Sequence, residues 1–164
     1  MENQTKTNLK KVTPGFSLTE LIVMIILIGI FAAMAMTRTS TGMTSIQVQI
    51  AIDQITSDID YSKSMAFARH DTITLVFSTT LEQYTIYTGP DGSRSAITDF
   101  PNSTNGVISF DQSDFIEVDI TSANFGGSEE LQFFPLGDPK SGGSIVLNSK
   151  TISVAPVTGQ WNVN

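Results

Sequence analysis

The chain has 164 residues, enough for one domain of ordinary size beside a short additional segment. Nine Lys and Arg against 16 Asp and Glu leave a formal charge of −7, an acidic balance that repels nucleic acid and anionic lipid. There is no cysteine, so disulfides, thiol nucleophiles and thiolate metal ligands are excluded.

Three lysines, Lys6, Lys10 and Lys11, precede an apolar run at residues 16–36 in which the one charge is Glu20. As a helix this run would extend about 32 Å, roughly the thickness of a bilayer's hydrocarbon core. The basic leader predicts a cytoplasmic N-terminus with the rest of the chain exported. A secretory signal peptide also begins this way, but its apolar stretch is about 7–15 residues and its small-residue cleavage site follows that stretch. Here the small residue, Gly15, lies before the run, so cutting there leaves the hydrophobic helix attached. A carboxylate inside a membrane helix costs roughly 2.5–3.5 kcal/mol at mid-bilayer, less near an end, and usually marks a function. Cleavage at Gly15 would place Glu20 near the first helical turn, where the macrodipole offsets about 0.3–1 kcal/mol of that cost. The plain alternative is a tolerated interfacial charge.

Residues 37–45 are rich in Thr and Ser with one glycine, Gly42, and mark the weakest part of the helix. Helical periodicity returns with Val48, Ile52, Ile55, Ile59, Ser62 and Ala66, while Gln49, Asp53, Ser57, Asp58 and Lys63 fall largely elsewhere. An amphipathic helix to about Arg69, laid against a sheet, is the expectation. From Asp71 the texture changes to short β-branched and aromatic runs between turns, predicting an antiparallel β domain. Candidate strands are 72–77, 83–88, 106–111, 115–120, 130–134, 144–148, 151–155 and 160–163, with loops at 98–105, 121–129 and 137–143. Gly89-Pro-Asp-Gly92 and Gly126-Gly127 read as turns, with no strand-to-helix context for a phosphate cradle.

Catalytic chemistry finds little support. His70 stands beside Asp71 and near Ser62 and Ser64, but a triad is defined by geometry and an oxyanion hole, and a histidine closing a helix is the ordinary reading. Asp111, Asp114, Glu117 and Asp119 cluster, with Asp138 in a Gly/Pro loop, yet their spacing does not match a calcium loop. With 115–120 as a strand, Glu117 and Asp119 would share one solvated face, or dock a basic partner. Asn102-Ser-Thr104 formally matches a glycosylation sequon in a loop. Tyr84, Tyr87 and Trp161 fall in strands, where core packing is the default, and no interleaved basic residues support nucleic-acid stacking. No cofactor, metal or nucleic acid is expected.

Gly15-Phe16-Ser17-Leu18-Thr19-Glu20-Leu21-Ile22-Val23, with Gly29-Ile30-Phe31-Ala32-Ala33, resembles the class III signal of type IV pilins and type II secretion pseudopilins. The resemblance implies that prepilin peptidase cuts between Gly15 and Phe16, that the Phe16 amine is methylated, and that Glu20 serves filament assembly. One departure is Thr37, where many such helices carry proline. Ser57–Arg69 followed by a strand, then Phe133-Phe-Pro-Leu-Gly137, Ile145-Val-Leu147, Ile152-Ser-Val154 and Gly159, resemble the GspH/FimT pseudopilins more loosely. Where that family often has a basic residue after the final glycine, this chain has Gln160-Trp161.

The resemblance implies an α+β pilin fold: a leader at 1–15, a transmembrane helix at 16–36, its amphipathic continuation at 37–70, and a periplasmic antiparallel β domain at 71–164. Removing the leader would leave 6 Lys and Arg against 15 Asp and Glu, a charge of −9. The expected protein is a minor pseudopilin of a type II secretion pseudopilus, held in the bacterial inner membrane and then in a periplasmic filament. Its partners would be prepilin peptidase, other pilin or pseudopilin subunits, inner-membrane lipid and an assembly platform. Its rivals are a minor pilin of a type IV pilus and a signal-anchored enzyme or binding domain that never polymerises.

Overall fold

The computed structural model describes residues 15–111, 115 and 117–164, with the backbone alone for 35–43. The leader residues 1–14, and Asp114 of the acidic cluster, lie outside the described residues. Helix α1 runs Leu18–Arg69, and among the described residues nine strands follow: β1 Ile73–Ser78, β2 Gln83–Thr88, β3 Ser95–Ala96, β4 Val107–Ser109, β5 Ile120–Phe125, β6 Glu130–Phe133, β7 Gly143–Leu147, β8 Lys150–Val154 and β9 Trp161–Val163. The chain divides into two compact units, residues 1–40 and 41–164.

In the first unit, every described side chain from Phe16 to Met34 is exposed. Among the described residues no helix is long and apolar enough to cross a membrane. The expected span 16–36 ends at Ala35 and Met36, whose side chains lie outside the described residues.

The second unit is a helix packed on two antiparallel sheets, an α+β arrangement. Val48, Ala51, Ile52, Ile55, Ile59, Met65 and Ala66 form the buried stripe of α1 in this unit. Full burial of one such Ile contributes about 1.5–3 kcal/mol, so this stripe anchors the helix. The helix ends where His70 adopts φ 50°, and the Asp71 amide reaches back to the Ala66 carbonyl at 3.3 Å, a Schellman-type closure with histidine in the left-handed position.

The first sheet has the order β3-β2-β1-β6, with β4 also pairing β2. The expected 72–77 and 83–88 pair appears as β1 and β2, in a register that sets Phe77 opposite Tyr84 and Ile73 opposite Thr88. The second sheet has the order β5-β7-β8-β9. Both sheets enter one core with α1, and Phe77 stacks on Phe125 across the gap between them at a centroid distance of 6.0 Å. Gly143, opposite Phe125, permits the β5–β7 approach: a Cβ there would lie 2.0 Å from the Asn124 carbonyl oxygen.

Two expectations fail in this half. The segment 121–129, read as a loop from its Thr, Ser, Asn and Gly, contains β5, whose polar Thr121, Ser122 and Asn124 face solvent while Ile120, Ala123 and Phe125 face the core. Of the expected strand 115–120, the described residues 115 and 117–119 are not in a strand, which begins only at Ile120. Instead the Val118 amide bonds the Phe115 carbonyl at 2.8 Å, a turn that drops both apolar side chains toward the core. Glu117 and Asp119 therefore do not share a strand face. Short β3, which pairs with the end of β2, was not foreseen.

Candidate functional site

The sequence-predicted site lies at the helix start. Ser17 precedes the first helical residue, and its carbonyl accepts the amides of Glu20 at 3.0 Å and Leu21 at 3.2 Å. Glu20 therefore sits in the first turn, where a carboxylate faces the positive end of the macrodipole. Ser17-x-x-Glu20 is the sequence pattern of a capping box, a signal that identifies Ser17 as the cap. In the structure the Ser17 hydroxyl lies 3.0 Å from that of Thr19. Phe16 is 82% exposed, and an added Cβ on Gly15 would meet nothing within 4 Å, so the Gly15–Phe16 peptide is accessible.

No hydrogen bond among the described residues links His70 to Asp71 or to either candidate serine. The Asp71 carboxylate accepts from the Thr88 hydroxyl at 2.8 Å and from the Thr72 amide at 2.7 Å. Ser62 is fully buried, and the Ser64 hydroxyl is spent on the Asp60 carbonyl at 2.8 Å. Among the described residues, no group of three or more His, Asp and Glu is placed to hold a metal ion. The acidic stretch is instead tied to the β7–β8 turn: Asn148 accepts the Asp119 amide at 3.0 Å and donates to the Glu117 carbonyl at 2.9 Å. The Asn102 amide nitrogen donates to Gln54 Oε1 at 3.2 Å.

Three polar arrangements in the domain were not legible in the sequence. Asp58, expected on the polar side of α1, is buried and accepts from Tyr84 Oη at 2.5 Å and from Gln54 Nε2 at 2.9 Å. Burial pushes the Asp58 carboxyl above its ordinary range, against the lowering effect of both donors. Burial likewise holds the Tyr84 phenol well above its usual value, and the neighbouring carboxylate adds to this. The second arrangement braces β6 against the β2–β3 turn. Arg94 pairs with Asp91 and, at 2.8 Å, with Glu130, while Lys140 reaches Asp91 at 3.1 Å and Gln132 Nε2 reaches it at 2.7 Å. Hydrogen bonding from Arg94, then Gln132 and Lys140, holds the Asp91 carboxyl well below the usual carboxylate range. The third involves Trp161, which is not a core residue as expected but sits at the edge strand β9, its Nε1 donating to Asp60 Oδ2 at 3.0 Å. Tyr84 is buried as expected, and Tyr87 is half-buried.

The family described as type II transport protein GspH matches residues 51–163, which span α1 from Ala51 to its end and the nine described strands. The chain belongs to the GspH family. It is thus a pilin-like protein of a pseudopilin family, whose members are structural subunits that assemble with others of their kind. No curated protein matches the chain. Among solved structures, the crystal structure of the type IV minor pilin FimU of Pseudomonas aeruginosa is similar at 12% identity and a TM-score of 0.48, covering 73% of this chain and 90% of that one. In this GspH-family chain the expected antiparallel β domain consists of two sheets, with α1 packed into a core that both supply.

Proposed function

We propose that this chain is a minor pseudopilin, a structural subunit of a type II secretion pseudopilus assembled through its N-terminal helix. The observation that carries the reading is the conjunction of GspH-family membership over 51–163 with a helix whose described side chains from Phe16 to Met34 are all exposed. A run of that composition is stable in lipid or against the equivalent helices of other subunits, and it is costly in water.

On this reading prepilin peptidase cleaves between Gly15 and Phe16, the Phe16 amine is methylated, and the subunit waits in the inner membrane with the β domain in the periplasm. Helix against lipid gains little hydrophobic free energy from association, so packing and polar contacts set the order of the filament. Glu20, charged and at the helix start, supplies such a contact by pairing with a cationic amine of the adjacent subunit.

A minor pilin of a type IV pilus would share these features, so the test is genetic. Deleting the gene should stop export of folded proteins to the medium while leaving surface pili and twitching intact. Normal export with loss of pili would replace this reading with the pilus one.

A further inference from the structure

Two open clefts adjoin on the surface of the domain and share Asp60 and Lys63. The first, about 450 Å³, is completed by Thr158, Gln160 and Trp161. The second, about 470 Å³, continues past Ser64 to the exposed Phe67 and Leu136. Neither contains a residue of the assembly helix's first half or of the processing site.

The first cleft is a built feature. Trp161 Nε1 is held by Asp60 Oδ2 at 3.0 Å, and Lys63 Nζ donates to the Thr158 carbonyl at 2.6 Å. The turn between β8 and β9 is closed by the Ala155 amide on the Gln160 carbonyl at 2.9 Å and the Gly159 amide on the Ala155 carbonyl at 3.1 Å, with Gly159 at φ 64°. The indole is thus fixed by its polar edge while 36% of the residue stays exposed. Gln160 is exposed and its side chain forms no hydrogen bond among the described residues. Lys63 has no ion-pair partner within 4 Å among them.

The chemistry of these groups selects a ligand class. One carboxylate and one ammonium leave the cleft without net charge, so it has no electrostatic preference for an ion. A nucleic acid or anionic lipid would meet a single lysine on a chain of charge −7. A purely apolar segment would strip water from Asp60, Lys63 and Gln160 without replacing their hydrogen bonds. What fits is an uncharged molecule with one apolar face for the indole and a rim of hydroxyls that both donate and accept. We propose that the Trp161 cleft binds a neutral hexopyranose ring of a glycan chain. The C–H face of the sugar lies on the indole, its hydroxyls engage Asp60, Lys63 and Gln160, and the next ring extends toward Phe67 and Leu136.

The test is calorimetric titration of the full chain, held in micelles of a zwitterionic, sugar-free detergent, with cellohexaose and with chitohexaose. Saturable binding of at least one hexasaccharide is expected, weakened tenfold or more by Trp161→Ala and several-fold by Gln160→Ala. Leu81→Ala, in the exposed β1–β2 turn, should leave binding unchanged. Thermal unfolding of each variant guards against misfolding, and Gln160→Ala, at an exposed side chain with no hydrogen bond among the described residues, decides the matter if Trp161→Ala unfolds. Preference for cellohexaose assigns the cleft to glucans with a free 2-hydroxyl, and preference for chitohexaose to N-acetylated wall-type glycans. Absence of saturable heat with both sugars, or binding that survives both cleft substitutions, overturns the proposal, as does Trp161-dependent binding of a peptide or of anionic vesicles in their place.

Discussion

Tyr84 donates its phenolic hydrogen to Asp58 at 2.5 Å across the seam between α1 and β2, and both residues are buried. The carboxylate has a second donor in Gln54, and no cation forms an ion pair with it among the described residues. A buried charge held only by neutral donors is compensated incompletely, which makes this seam sensitive to protonation.

The pH prediction follows from the direction of that shift. The Asp58 carboxyl is raised in the folded state above its ordinary value of 3.8, so its favourable contribution is complete below that value and is lost as pH rises through the folded value. Urea unfolding from pH 3 to 8 should show this loss in the wild type, and Asp58→Asn, neutral throughout, should remove it. Tyr84→Phe should destabilise the domain by roughly 1–3 kcal/mol at pH 7, because it leaves a buried carboxylate short of a donor.

How much of this was legible in the sequence depends on the range of the interaction. The core stripe Val48, Ile52, Ile55, Ile59, Ser62 and Ala66 is local periodicity, and all six are buried. The β1–β2 hairpin was readable for the same reason. Asp58 looked solvent-facing because its partner is 26 residues away in sequence and no local pattern announces it. Strand β5 was hidden because half of its residues are outward-facing Thr, Ser and Asn, which read as loop chemistry until β7 supplies the pairing. Trp161 was misjudged because an aromatic in a strand suggests core, whereas β9 is an edge strand that turns the indole toward α1. At the helix start the charge Glu20 and the apolar run are consecutive in sequence and could be read there, whereas Ser17 as the residue before the helix emerges from the backbone.

Arg94 pairs with Asp91 inside the β2–β3 turn and joins that turn to β6 through Glu130. Replacing Arg94 with alanine should lower stability by about 1–2 kcal/mol, the range of a part-buried guanidinium shared between two carboxylates rather than of an isolated surface pair. The loss should shrink when the same urea titrations are run in 1 M salt, where exposed charges are screened. A salt-independent loss would assign the effect to packing of the arginine stem.

Gly143 tests the β5–β7 approach. Alanine there places its Cβ on the Asn124 carbonyl, so overpacking of about 1–3 kcal/mol or more is expected, with a matching fall in thermal midpoint. Gly92→Ala meets open space, and its penalty comes only from φ +89°. Gly143→Ala should therefore be the more damaging of the two in parallel melts.

Glu20→Ala removes a charge from the first turn without shortening the apolar run. Membrane fractionation should find the variant at wild-type levels in the bilayer, while recovery in sheared filaments falls at least tenfold. Equal recovery of variant and wild type would remove Glu20 from the assembly mechanism.

If this GspH-family chain enters a filament after processing at its own helix start, the protein purified from its host's membranes should carry that processing in its intact mass. Mass spectrometry should give residues 16–164 plus one methyl group, with Phe16 as the N-terminus. A chain that still begins at Met1, or one cut after the apolar run, would contradict it.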